Sequence, residues 1–166
     1  PYLFGLRNGV HVIDLEKTVE EMEKTLSYVK TLASQGKIIL FVGTKRQARE
    51  VVREAAIACD MPYLVERWIG GLLTNFEEVK RRLKKYNTLK EQIKTGEIER
   101  YTKKEQVVLK KMVEKMDKYL VGLTKLEKIP DALYIADLRV EKTAVAEAKR
   151  TGVKIVAVCD SNVNPT

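Results

Sequence analysis

Residues 37–42, Lys-Ile-Ile-Leu-Phe-Val, form a continuous apolar run, the pattern of a strand buried on both faces of a parallel sheet. Ala132-Leu133-Tyr134-Ile135-Ala136 and Ile155-Val156-Ala157-Val158 read the same way, and Tyr63-Leu64-Val65 is a shorter candidate. Helical spacing lies between these runs. Val19, Met22, Leu26, Val29 and Leu32 follow a capping-box pattern that starts at Thr18, and Gly36 closes them. Thr44 caps a second segment through Ala48, Val51, Val52, Ala55 and Ala56, which Met61-Pro62 breaks. A third helix runs from Glu141 to Arg150 and ends at Gly152. Before all of these, residues 1–8 read as turn-like, with a bend at Arg7-Asn8-Gly9, and Val10 to Leu15 holds a brief strand. Strands that alternate with helices imply an α/β fold, an open parallel sheet with helices on both faces.

The alternation stops at Arg67-Trp68-Ile69-Gly70-Gly71-Leu72-Leu73-Thr74-Asn75-Phe76, which holds the only Trp of the chain. Thr74 with Glu77 reads as a capping box. Phe76, Val79, Leu83, Tyr86 and Ile93 then keep a three-to-four spacing until Thr95-Gly96. A second capping box, Thr102 with Glu105, opens a run through Leu109, Met112, Met116, Tyr119 and Leu123. Two long helices with narrow apolar seams and a polar joint describe a coiled-coil hairpin. The expected organisation is an α/β domain of residues 1–73 and 128–166, with an inserted helical hairpin at 74–127.

Charge gives the hairpin meaning. The chain carries a net charge of +8, and residues 74–127 hold fifteen Lys and Arg against nine Asp and Glu, six of that excess. A basic balance of this kind points to a polyanion. No apolar run approaches the roughly 18 residues of a membrane span. Two cysteines 100 positions apart and a single histidine give no metal-ligand spacing and favour a reducing compartment. The chain opens at Pro1 without Met and ends at Pro165-Thr166 just past a strand-like run, so it reads as an excerpt of a longer protein.

Asp14, Asp137 and Asp160 each follow a strand, where ligands of open α/β sheets bind, and three carboxylates there could hold magnesium. The plainer reading is that each caps a helix or turn. Gly43-Thr44-Lys45 lies where a phosphate loop would, but position 38 is Ile where that loop requires Gly. A helix start with Lys45 and Arg46 can still take one phosphate. His11 reads as structural, Cys59 and Cys159 as small core residues.

Several stretches together carry a resemblance. Phe4-Gly5-Leu6-Arg7-Asn8-Gly9-Val10-His11-Val12-Ile13-Asp14-Leu15-Glu16-Lys17-Thr18 resembles the opening signature of the bacterial-type S-two (uS-two) family of small-subunit ribosomal proteins. Phe41-Val42-Gly43-Thr44-Lys45-Arg46-Gln47-Ala48, the Arg67 to Phe76 stretch, Pro130 to Asp137 and Val156 to Asn162 fit that family in the same order. Leu120-Val121-Gly122-Leu123-Thr124-Lys125 departs from the family's turn, of which only Gly122 and Lys125 remain. The resemblance implies a flavodoxin-like sheet with a protruding coiled-coil hairpin. It implies a non-enzymatic structural protein without cofactor or metal, placed at the head-body junction of the small subunit of a cytoplasmic bacterial ribosome, with an organellar ribosome as the alternative. Its partners would be small-subunit rRNA, neighbouring ribosomal proteins and ribosomal protein S-one where that exists.

On this reading, phosphate contacts come from Lys80, Arg81, Arg82, Lys84, Lys85, Lys103 and Lys104 of the hairpin and from Arg7, Lys45, Arg46 and Arg67. Asn8, Trp68 and Asn75 add shape-specific contacts, with Trp68 equally suited to anchor the hairpin base. The competing classes are a magnesium- or nucleotide-binding enzyme that uses the three aspartates, and a protein-interaction module that uses the apolar hairpin seam.

Overall fold

A computed structural model describes residues 2–161; Pro1 and Asn162 to Thr166, including the end of the last motif, lie outside them. Four parallel strands make the central sheet: β3 (Ile39–Val42), β4 (Tyr63–Leu64), β5 (Ala132–Ile135) and β6 (Lys154–Ala157), in the order β4-β3-β5-β6. Residue parity sorts their side chains onto two faces. Leu40, Val42, Leu133 and Ile135 lie in one core cluster with Ala144 and Ala148 of α5 (Lys142–Thr151) and with the hairpin base. Ile39 and Ala132 pack on the other face against Leu32 of α1 (Leu15–Ser34), beside Val29, Phe41 and Tyr134. Helices therefore cover both faces, as the apolar runs require. Val52 and Ala56 of α2 (Arg49–Ala58) are buried, and that helix packs on β3 and β4.

The chain begins differently from the sequence expectation. Residues Leu3–Arg7 form a strand, β1, rather than a turn, and pair antiparallel with β2 (Val10–Ile13). Asn8 and Gly9 join them with φ of 50° and 76°. Two consecutive positive-φ residues suit the right-handed twist of a hairpin, and Asn-Gly is the pair that adopts them most readily. This ribbon is a sheet of its own, separate from the central one.

Three helix starts also differ. α1 begins at Leu15, three residues before Thr18, because the Asp14 carboxylate accepts the Lys17 N–H and acts as its cap. α2 begins at Arg49, since residues 45–48 form turns and Thr44 donates its own N–H to Glu141 instead of capping. α3 (Phe76–Thr95) has no side-chain cap, because the Thr74 hydroxyl is turned to Glu147. The expected capping box at Thr102 is complete, with Thr102 and Glu105 bonded reciprocally at the start of α4 (Lys103–Leu120).

α3 and α4 lie against each other. Phe76, Val79, Leu83 and Tyr86 are buried on α3 as the spacing implies. After α3, Leu123 is fully buried and Met116 packs on the main core as the spacing implies, and Leu109, Met112 and Tyr119 are half-buried. Val113 and Leu120 widen the buried face of α4 beyond the expected seam. Tyr86 is fully buried; its hydroxyl donates to Asp117, and Lys90 Nζ donates to both, at 2.9 Å to Tyr86 and 3.1 Å to Asp117. This polar clasp fixes the two helices in register.

The return from α4 is a short 3₁₀ turn at Val121–Leu123. A Cβ on Gly122 would stand 2.2 Å from the carbonyl oxygen of Tyr63, so β4 and this turn meet at a distance only glycine allows. The cysteines are not core residues: Cys59 is exposed and Cys159 half-buried. His11 is exposed on β2 opposite Leu6.

Candidate nucleic-acid interface

The Trp-Gly-Gly stretch is organised from beneath by one carboxylate. Glu147, on α5, is 9% exposed. Its Oε1 accepts the Trp68 indole N–H at 2.9 Å and the Gly71 N–H at 2.8 Å. Its Oε2 accepts the Leu73 N–H at 3.0 Å, the Thr74 N–H at 3.3 Å and the Thr74 hydroxyl at 3.4 Å. Burial pushes this carboxyl up, but the bonds from Trp68, Gly71, Leu73 and Thr74 outweigh it and hold the group below its ordinary range. Gly71 has φ of 84°, which lets the backbone fold around the carboxylate. Trp68 is half-buried and packs on the main core, with its polar edge engaged by Glu147. Next to it, Arg67 is exposed and its guanidinium lies 4.7 Å from the ring centre of Tyr119 on α4. The loop thus delivers a cation to the hairpin.

The sequence-named cations fall into distinct settings. Arg7 and Asn8 stand exposed at the turn of the β1–β2 ribbon. Lys45 pairs with Asp137 at 2.7 Å, whereas Arg46 is exposed without an ion pair among the described residues. On α3, Arg81 and Arg82 both reach Glu78, at 2.8 and 3.4 Å. Lys80, Lys84 and Lys85, like Lys103 and Lys104 on α4, are exposed and carry no ion pair among the described residues. Asn75 precedes α3 and is exposed.

The carboxyl ends of the strands show how the competing chemistry fares. β3 leads through α2 to β4 on one side, and β5 leads through α5 to β6 on the other. The switch point of the sheet therefore lies between β3 and β5, where ligands of such folds bind. Here the protein fills it with its own groups. Glu141, 3% exposed, accepts the Thr44 N–H at 3.0 Å, taking a donor that a phosphate would need. Lys45 is held across the gap by Asp137, which that bond keeps below its ordinary pKa. The three strand-end aspartates have local tasks: Asp14 caps α1, Asp137 also accepts the Arg139 N–H, and Asp160 accepts the Ser161 N–H. Among the described residues no group of three or more potential ligands is placed to share a metal ion.

Sequence reading missed Glu147, Glu141 and Asp117. Each lies on or beside a helix where an acid is ordinarily a solvated residue. The one signal available for Glu147 was its setting, with Ala144 and Ala148 on the same helix face.

The family model described as ribosomal protein S2 matches residues 1–166. A protein named small ribosomal subunit protein uS2 from Helicobacter hepaticus is 43% identical over 164 residues, which cover 99% of this chain and 62% of the relative. Its namesake from Coprothermobacter proteolyticus is 44% identical over 165 residues, with 99% and 62% covered. That of Wolinella succinogenes is 43% identical over 164 residues, with 99% and 60% covered. The chain thus spans about three fifths of the length of the curated relatives it matches.

Proposed function

The chain belongs to the ribosomal protein S2 family, and on that premise we propose that it is a structural constituent of the small ribosomal subunit, held there by small-subunit rRNA. The observation that carries the reading is the match over the whole chain, at 43–44% identity, to proteins named as small-subunit constituents. The charge distribution supports it: the basic hairpin presents exposed lysines, among them Lys80, Lys84, Lys85, Lys103 and Lys104, that carry no ion pair among the described residues, the chemistry that binds a phosphate backbone. The organised Arg67–Asn75 loop supports a second contact at the hairpin base, through Arg67 and Asn75. In this reading Trp68 shapes the loop, Arg7 and Arg46 make further phosphate contacts from the α/β domain, and Asn8 adds a shape-specific contact beside Arg7.

The finer placement we propose is the one the resemblance of the motifs implies. The protein sits at the head-body junction of a bacterial-type ribosome in the cytoplasm, beside other small-subunit proteins and the docking region of ribosomal protein S-one. Residues 74–127 act as an inserted hairpin domain on an α/β body. No helix among the described residues is long and apolar enough to cross a membrane. The role is non-enzymatic, supported by the self-filled switch point.

Ultraviolet cross-linking of the full-length protein in cells, followed by sequencing of the attached RNA, tests this. Small-subunit rRNA fragments should dominate. A pool dominated by messenger or transfer RNA, or no RNA at all, overturns it.

A further inference from the structure

The charges of α4 are sorted by direction. The helix, KKEQVVLKKMVEKMDKYL, has six lysines and three acids. Two of the acids are engaged within the protein: Glu105 accepts from the Thr102 N–H and hydroxyl at 2.9 and 2.8 Å, and Asp117 belongs to the Tyr86–Lys90 clasp. Only Glu114 has no such partner among the described residues. At about 100° per residue, Lys104, Lys111, Lys115 and Lys118 fall within roughly 60° of one another, on the side away from Val113, Met116 and Leu120. Glu114 lies at the edge of that stripe. All four lysines are exposed, and none has an ion pair or hydrogen bond among the described residues. The stripe runs about 21 Å along the axis.

A cation from another element lengthens it. Tyr119 is four residues beyond Lys115 on the same side of α4, and its ring holds Arg67, the neighbour of the Glu147-anchored Trp68. The row therefore continues from the helix onto the loop at the hairpin base. Lysine is a flexible point charge without the planar fork of Arg, so a row of lysines meets phosphates as charges rather than in a fixed bidentate geometry. No amide side chain lies in the stripe.

We propose that this outer face of α4, through Lys104, Lys111, Lys115 and Lys118 and ending at Arg67 on Tyr119, is a rail for a continuous stretch of RNA sugar-phosphate backbone. The rail holds position without reading sequence. The inference rests on the ribosomal reading and extends it: to the exposed Lys80, Lys84 and Lys85 of α3, whose neighbours Arg81 and Arg82 are engaged by Glu78, it adds a row of phosphate contacts along α4 beyond Lys104.

The test uses full-length protein and small subunits stripped of it. Lys104, Lys111, Lys115 and Lys118 are changed together to Gln, which preserves helix propensity, and circular dichroism verifies helix content. A control changes Lys142, Lys149, Arg150 and Lys154 to Gln, an equal loss of charge on α5 and β6. Affinity is measured from 50 to 200 mM salt, with hydroxyl-radical footprinting of the rRNA. The rail predicts that the slope of log K against log salt becomes shallower by about 3 in the stripe variant, from roughly 0.7–0.9 per lost phosphate contact. It also predicts that a run of riboses protected by the unchanged protein becomes exposed. The control should keep both slope and footprint. An unchanged slope in the stripe variant, or an equal fall in the control, overturns the rail while leaving the ribosomal reading standing. A shallower slope with an unchanged footprint assigns the face to an acidic protein neighbour and also overturns it. Failure of the unchanged protein to bind stripped subunits removes the ribosomal reading itself.

Discussion

The indole nitrogen of Trp68 donates to Glu147 Oε1 across 79 residues of sequence, at 2.9 Å. That bond, with those from Gly71, Leu73 and Thr74, converts a glycine-rich connection into a fixed platform from which α3 departs. The first expected outcome follows. Replacing Glu147 by Ala leaves three backbone N–H groups and the indole N–H without their acceptor, and should cost about 3 kcal/mol or more. Gln should not rescue it, since each carboxylate oxygen receives at least two N–H donors and an amide nitrogen faces donors in either orientation. Equilibrium urea unfolding of the full-length protein would measure both variants, and a loss under about 1 kcal/mol for Ala would contradict the anchor.

The same carboxylate has a pH signature. Its folded-state pKa lies below its unfolded value, so its contribution is complete above the ordinary carboxyl range and is lost as pH falls through the folded value. Unfolding free energy should therefore drop on acidification below the ordinary glutamic-acid range, and the drop should be smaller in Glu147→Ala. Identical pH dependence in the two proteins would refute this assignment.

Asp117 and Tyr86 make a second test, confined to the hairpin. Burial and the bond to Asp117 raise the Tyr86 hydroxyl's pKa, so it stays a donor at neutral pH. Tyr86→Phe removes the link while keeping the buried ring, and should cost about 1–2 kcal/mol. Hydrogen exchange should speed up in α3 and α4 and stay unchanged in β3 and β5. Uniform acceleration across the sheet would show that the clasp is not local to the hairpin.

Gly122 is predicted to tolerate no side chain. Gly122→Ala brings a methyl against the Tyr63 carbonyl oxygen, a backbone atom that cannot rotate away, and should lower the unfolding temperature by several degrees. Tyr63→Ala in the same chain should not restore it, because the carbonyl remains. Restoration would shift the cause to the ring, whose nearest carbon is 2.6 Å from that methyl position.

The switch point supplies a negative result. Millimolar ATP, GTP or flavin mononucleotide should not raise the unfolding temperature, because Glu141 and the Lys45–Asp137 pair occupy the ends of β3 and β5. A rise of several degrees would reopen the nucleotide reading.

How much of this was legible depended on range in sequence. The runs Ile39–Val42 and Ala132–Ile135 could be placed because burial on both faces writes itself into consecutive residues. Lys154–Ala157 is a strand as its apolar run implies, but it lies at the sheet edge with none of its residues buried, so the expected burial on both faces does not hold there. β1 was missed although Asn8-Gly9 carries a hairpin signal, since the flanking strands show no clear alternation. On α4, Met112 with Tyr119 and Val113 with Leu120 share a seven-residue spacing, and only contact with α3 decides which pair is buried more deeply. Glu147 was beyond reach: its donors lie 73–79 positions away, and its local pattern is that of a surface acid. The resemblance pointed to the family, but the engagement of Trp68 by Glu147 emerges only when α5 is packed beneath the loop.

The most direct measurement of the central claim is sedimentation of tagged full-length protein from cell lysate at high and at low magnesium. The account predicts that it travels with ribosomes when subunits are joined and stays with the small subunit after they separate. Protein that remains at the top of the gradient under both conditions would contradict it.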